Sequence, residues 1–212
     1  KFTPNQRKLL STLLDEEVKI MFVSGPAGSS KTYMSLYGCL RLMAEDKEKD
    51  LLYIRSIVES ADKGLGSLPG DMSEKFNPFT LPLYDKLEEI IYEEHTAFLK
   101  QKERVTAIPI NFLRGANWNN KLIVADEAQN FTFKELTTLI TRIGEDTKII
   151  ICGDFMQSDI NGKTGFKDMF DIFSDDKSME NGIHSFSFSR NDIVRSKILK
   201  FIISKLEKRK QV

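Results

Sequence analysis

The chain has 212 residues, enough for one α/β domain with a real core and little room for a second. Lys plus Arg number 31 and Asp plus Glu number 31, so composition alone announces no polyanion binder, although a neutral protein can carry a local basic groove. Two cysteines without a CxxC pair and two distant histidines argue against a disulfide framework or a Cys/His metal cluster, and no apolar run is long enough to cross a membrane. Cys39 and Cys152 are expected as buried free thiols in a reducing cytoplasm.

In chain order, residues 5–14 carry Leu9, Leu10, Leu13 and Leu14 at helical spacing, with Thr3 as N-cap and Pro4 at the first helical position. Residues 18–23 form a short apolar run ending at Ser24-Gly25, the pattern of a buried parallel strand. A glycine-bearing loop then leads into a helix over 31–44, and a second strand follows over 51–54. Residues 64–82 are rich in Gly and Pro but hold Leu65, Leu68, Phe76 and Phe79, so a structured loop is expected there. One charged amphipathic helix is expected over 83–102. Buried strands are expected over 121–125 and 148–152, with a helix over 132–143 between them, opened by a Thr132/Glu135 capping box. Residues 186–188 read as a last strand. Residues 192–208 read as a last helix whose basic end is a solvated face. The alternation implies an α/β fold: a three-layer arrangement with a mostly parallel sheet flanked by helices, in a single domain over residues 1–212.

Gly25-Pro26-Ala27-Gly28-Ser29-Ser30-Lys31-Thr32 lies between an expected strand and an expected helix, the context a P-loop requires. Small residues let backbone N–H groups close around a β-phosphate, and the helix N-terminus adds partial positive charge. Lys31 suits the β- and γ-phosphates of ATP, and Thr32 offers a hydroxyl to Mg2+. Ser30 stands where the pattern has glycine; serine is small and is expected to take a helical conformation there. At the end of another apolar run, Asp126 is the expected magnesium partner and Glu127 the general base.

Asp126-Glu127-Ala128-Gln129 on one strand and Gly153-Asp154-Phe155-Met156-Gln157 on the next resemble motifs II and III of superfamily 1 helicases. That resemblance implies that Gln157 senses the γ-phosphate and couples it to nucleic acid, and that Gln129 helps arrange the site. Gln6 resembles the glutamine that reads adenine in such motors. More specifically, the chain resembles the PhoH family of phosphate-starvation-inducible ATPases across nearly its whole length. The resemblance runs through Leu68-Pro69-Gly70-Asp71, Pro82-Leu83-Tyr84-Asp85, Leu113-Arg114-Gly115, Asp126-Glu127-Ala128-Gln129-Asn130, Thr141-Arg142-Ile143-Gly144 and Asp192-Ile193-Val194-Arg195. It implies a RecA/superfamily 1 helicase-like core that hydrolyses ATP with Mg2+, RNA rather than DNA as the more expected nucleic acid, and a ring of subunits, a hexamer.

A single helicase-like domain lacks the second half of the usual cleft, so an arginine is expected in cis or from a neighbouring subunit. The candidates are Arg55, Arg114, Arg142, Arg190 and Arg195. Arg190 or Arg195 is expected on the γ-phosphate, and Arg55 or Arg114 on nucleic acid or on the neighbour's ATP. Two further readings compete with the motor. One is a nucleotide-gated ring with little turnover; the other is a small-metabolite kinase, against which Gln157 and the Asp126–Gln129 run both argue.

Overall fold

The structure, a computed structural model, describes residues 2–56, 72–113, 118–157, 164–193 and 201, with the backbone alone for 72–79. Its sheet contains β1 (Ile20–Ser24), β2 (Asp50–Arg55), β3 (Val105–Pro109), β4 (Lys121–Asp126), β5 (Lys148–Gly153) and β6 (Ile183–Ser187). The spatial order is β3-β2-β4-β5-β1-β6, and every pairing is parallel. All carboxyl ends therefore meet at one edge. The register sets Ser24 beside Gly153 and Ser187, and Arg55 beside Asp126. In open α/β sheets this is the edge that holds ligands.

Around the sheet lie α1 (Pro4–Leu14), α2 (Lys31–Glu45), α3 (Met72–Glu88), α4 (Glu93–Gln101), α5 (Phe133–Ile140), α6 (Phe166–Ile172) and α7 (Asp176–Glu180). Alternate strand residues serve two separate cores. One joins Tyr53, Val124 and Ile150 to Leu9, Leu13, Met34 and Leu36 of α1 and α2. The other joins Ile54, Ile123 and Ile149 to Phe131, Leu136, Leu139 and Phe166. Burial on both faces explains why β4 and β5 read as unbroken apolar runs, and it gives the three layers expected from the sequence.

The caps fall where the sequence places them. Thr3 and Gln6 form a reciprocal capping box on α1, and Thr132 and Glu135 form another on α5. Lys148 fastens α1 from the sheet, its Nζ donating to the carbonyls of Leu13 and Asp15 at 2.6 Å each. Cys39 and Cys152 are free and buried, and burial pushes the Cys39 thiol up to about 12.

Several expectations are corrected. The segment expected as loop up to residue 82 is helical from Met72. Pro78 and Pro82 each withhold a backbone N–H, but Leu83 and Leu87, one turn apart, are fully buried in the core, and α3 packs on β3. The single helix expected over 83–102 is two helices. Tyr92 is extended (φ −64°, ψ 148°), and Glu93 and Glu94 open α4 at its positive dipole end. Strand β3 and helices α6 and α7 were not anticipated, and α5 stops at Ile140 rather than 143. The last strand runs over Ile183–Ser187, earlier than expected, and Asp192 closes a 3-10 turn, Arg190–Asp192. Leu65, Leu68, Arg114 and the expected last helix beyond residue 193 lie outside the described residues, Phe201 apart.

Candidate functional site

β1 delivers the chain to the loop at Gly25, where a Cβ would stand 2.7 Å from Phe188 Cβ, so only glycine lets the segment after β6 lie against it. Gly28 has φ 80°, a left-handed turn that glycine adopts at no steric cost. The Ser29 hydroxyl is buried and donates to the Pro26 carbonyl at 2.8 Å, closing the loop on itself. Ser30 is the N-cap of α2 at φ 68° and ψ 26°. It is therefore left-handed and not helical as expected, because the loop turns into the helix at this residue.

At the first two residues of α2 the chemistry begins. Lys31 Nζ donates to the carbonyls of Gly25 (2.7 Å) and Pro26 (3.1 Å), which holds the ammonium at the mouth of the loop. Thr32 Oγ1 donates to Asp126 Oδ1 at 2.8 Å, although 94 residues separate them. Asp126 ends β4 and is 7% exposed. Its other oxygen, Oδ2, accepts from the Tyr53 hydroxyl at 2.6 Å. Burial and the adjacent Asp126 charge push the Tyr53 phenol well above its ordinary value, so it remains a donor.

Glu127 lies just past β4 in a left-handed conformation (φ 54°, ψ 41°). Its Oε1 is 3.8 Å from an Arg55 guanidinium nitrogen, and its Oε2 accepts from Gln129 Nε2 at 2.5 Å. Gln129 Oε1 in turn accepts from the Asp154 N–H at 3.0 Å. One buried amide thus ties the ends of β4 and β5 together. Beyond β5, Asp154 accepts from the N–H groups of Met156 and Gln157, a tight turn that brings Gln157 to the same cleft.

That cleft has a volume of about 370 Å³. Ala27, Gly28, Ser30, Lys31 and Thr32 line it on one side, and Arg55, Asp126, Glu127, Gln129 and Gln157 on the other. Gly25, Pro26 and Ser29 form the back of the loop through the contacts above. Gln6 is apart from this lining. It is buried at the start of α1, with Oε1 accepting from the Thr3 N–H at 2.9 Å. Arg190 is exposed on the turn after β6, and Arg142 follows α5, where its carbonyl accepts from the Trp118 N–H; neither lines the cleft. Arg114 and Arg195 lie outside the described residues.

Sequence reasoning missed Tyr53 and the wall of the cleft made by Pro82 and Lys86 of α3 and Glu89 just beyond it. The signal for Tyr53 was a hydroxyl within an apolar strand, which needs a buried partner. Lys86 and Glu89 pair with each other at 2.6 Å and carried no signal. The Thr32 hydroxyl and the Asp126 carboxylate are hard oxygen donors suited to Mg2+, which takes few protein ligands beside phosphates and water. Among the described residues no cluster of three His, Cys, Asp or Glu could hold a metal by itself.

Strand, phosphate-type loop and helix N-terminus at the carboxyl edge of a parallel sheet, with an acidic strand end beside the loop's threonine, give the chain the architecture of a P-loop NTPase. The family model described as PhoH-like protein matches residues 1–207, and the chain belongs to that family. It is 30% identical over 206 residues to a PhoH-like protein of Bacillus subtilis (strain 168), covering 97% of this chain and 63% of that one. It is 31% identical to a PhoH-like protein of Synechocystis sp. (97% and 61%) and 32% identical to Protein PhoH of Escherichia coli K12 (85% and 51%). The chain thus spans roughly half to under two thirds of these relatives' lengths. Among solved structures it is similar to the Pif1 helicase from Candida albicans (TM-score 0.46, 16% identity, 89% of this chain and 39% of that one). It is also similar to Bacteroides sp Pif1 in complex with ADP-AlF4 (TM-score 0.40, 17% identity, 92% and 43%).

Proposed function

We propose that the protein binds and hydrolyses ATP with Mg2+ in this cleft and acts as a helicase-like motor on nucleic acid, RNA rather than DNA. The observation that carries the reading is the 2.8 Å contact between Thr32 and Asp126, which joins the hydroxyl that follows the loop to the buried carboxylate at the end of β4. Loop N–H groups and the α2 N-terminus hold the β-phosphate. Lys31 exchanges the Gly25 and Pro26 carbonyls for β- and γ-phosphate oxygens. Thr32 and Asp126 would hold Mg2+, which when bound neutralises phosphate charge. Glu127 accepts the proton of the attacking water, Gln129 orients it, and Gln157 contacts the γ-phosphate.

We assign the adenine to the end of α1 that carries Gln6. Arg190 or Arg195 is assigned to the γ-phosphate, and Arg55 or Arg114 to nucleic acid or a neighbour's ATP. Arg55, paired with Glu127 across the cleft from Lys31, is the best placed of the described arginines. Residues 1–212 act as one domain, subunits close a hexameric ring in the cytoplasm, and the ring supplies the missing wall of the site. The resemblance stated above supports the ring. No helix among the described residues is long and apolar enough to cross a membrane.

One observation favours a second reading, a nucleotide-gated ring with little turnover: the left-handed Ser30 strains the loop that grips phosphate. Phosphate release from ATP separates the two. The wild type is expected to turn over, Lys31→Ala to lose at least about 100-fold, and Glu127→Gln to bind ATP normally while losing about 100- to 10,000-fold in turnover. Normal binding with no turnover in the wild type would leave the gated ring, and transfer to a small metabolite would revive the kinase.

A further inference from the structure

Asp126 is an unusual carboxylate. It is 7% exposed, and among the described residues both of its oxygens are held by neutral hydroxyls, with no ion pair to it. A buried charge answered only by neutral donors remains short of compensation, which a cation supplies. Thr32 stands on the loop side and would itself turn to that cation. The other donor, Tyr53, belongs to the sheet: it is 1% exposed, its ring sits in the core cluster with Leu51, Val124 and Met34, and its strand is paired residue for residue with β4. Tyr53 lies opposite Val124, two residues before the Arg55–Asp126 pair, so its ring runs along the sheet toward the carboxyl edge and ends at Oδ2. Packing alone does not require the hydroxyl, since Met21, Val23, Leu51, Leu122, Val124 and Ile150, buried strand residues that share this core face, carry no side-chain oxygen.

We propose that Tyr53 is the positioning residue of the cation site, its hydroxyl fixing Asp126 through Oδ2 so that Oδ1 is presented to Thr32 and the metal–phosphate side. The proposal rests on the reading of the cleft as a Mg2+–nucleotide site and adds which residue sets the carboxylate's orientation. Outer partners that orient a metal ligand are worth about 10- to 100-fold in metal affinity.

The test is the affinity of a fluorescent ADP analogue in EDTA and in saturating Mg2+ or Mn2+, measured for the wild type, Tyr53→Phe and Tyr53→Met, with thermal unfolding recorded beside it. The metal-dependent gain in affinity is expected to fall by about 10-fold in both variants, while affinity in EDTA stays within about twofold of the wild type. Met keeps a flexible apolar volume without a donor, so it reports on the hydroxyl if Phe packs poorly. An unchanged metal-dependent gain in either folded variant overturns the proposal, as does a loss that is equal with and without metal. A wild type that binds the analogue with no metal dependence would instead overturn the Mg2+–nucleotide reading itself.

Discussion

Ser30 carries a cost that the loop does not need. A residue with a Cβ in the left-handed region loses roughly 1–2 kcal/mol relative to its relaxed state, and glycine is free of it. Ser30→Gly is therefore expected to raise stability by up to about 1 kcal/mol in urea titration, the rest being offset by the flexibility glycine adds to the unfolded chain, and to tighten nucleotide binding. A destabilised variant would show that the serine is held by something other than the loop's turn. Arg55→Ala is expected to lower turnover about 10- to 1,000-fold at nearly unchanged nucleotide affinity; unchanged turnover would remove Arg55 from the machinery. At this scale the sequence was legible wherever chemistry is local. Lys31-Thr32 and Asp126-Glu127 could be found because each pair directly follows the strand or loop that presents it. Tyr53 could not, because its partner lies 73 residues away and only strand pairing brings the two together. Gln6 shows the opposite failure. Thr3-x-x-Gln6 is also a capping pattern, and the cap occupies its carbonyl oxygen in the structure.

The elements nearest the middle of the sheet were the easiest to read. β1, β4 and β5 are buried on both faces and announce themselves as apolar runs, whereas edge strand β3 alternates over five residues and ends in proline. Helix α3 was hidden by its prolines, since the burial of Leu83 and Leu87 is decided by β3 and not by local preference. Two charged groups at the opposite edge of the sheet tie elements together and make stability rise with pH, one in the alkaline range and one in the acid range. Burial pulls the Lys148 amine down to about 8 from an unfolded value near 10.5. Between those values the unfolded chain binds more protons, so stability rises with pH across that window. Lys148→Met is expected to abolish a rise on the order of 2 kcal/mol, read from urea unfolding at pH 7.5 and 10. Partial burial would raise the Asp50 carboxyl, but hydrogen bonds from Lys121 and Arg104 outweigh it and hold it below its ordinary value. Its contribution is present above the unfolded value and is lost as pH falls through the folded one, so Asp50→Asn should flatten part of the acid limb below about pH 4. Equal acid limbs in the two proteins would contradict this.

At the scale of the whole molecule, the six parallel strands gather the loop of β1, the carboxylates of β4 and the glutamine turn of β5 around one cleft, while zero net charge leaves any grip on nucleic acid to local groups such as Arg55. Binding through a few such contacts would weaken with salt at a slope of only a few units, far below that of a strongly basic binder. If the ring closes the site, sedimentation with Mg2+ and nucleotide should give a species six times the mass of the chain, and mixing Lys31→Ala with Arg55→Ala subunits should restore turnover only where the arginine acts across the interface. A purely monomeric active species would contradict the ring. Most direct is steady-state ATP hydrolysis with and without single-stranded RNA and DNA, with Lys31→Ala as the blank. Turnover that RNA stimulates more than DNA, and that disappears in the blank, is the expected result. ATP binding with negligible turnover under every condition would contradict the motor and leave a nucleotide-gated ring.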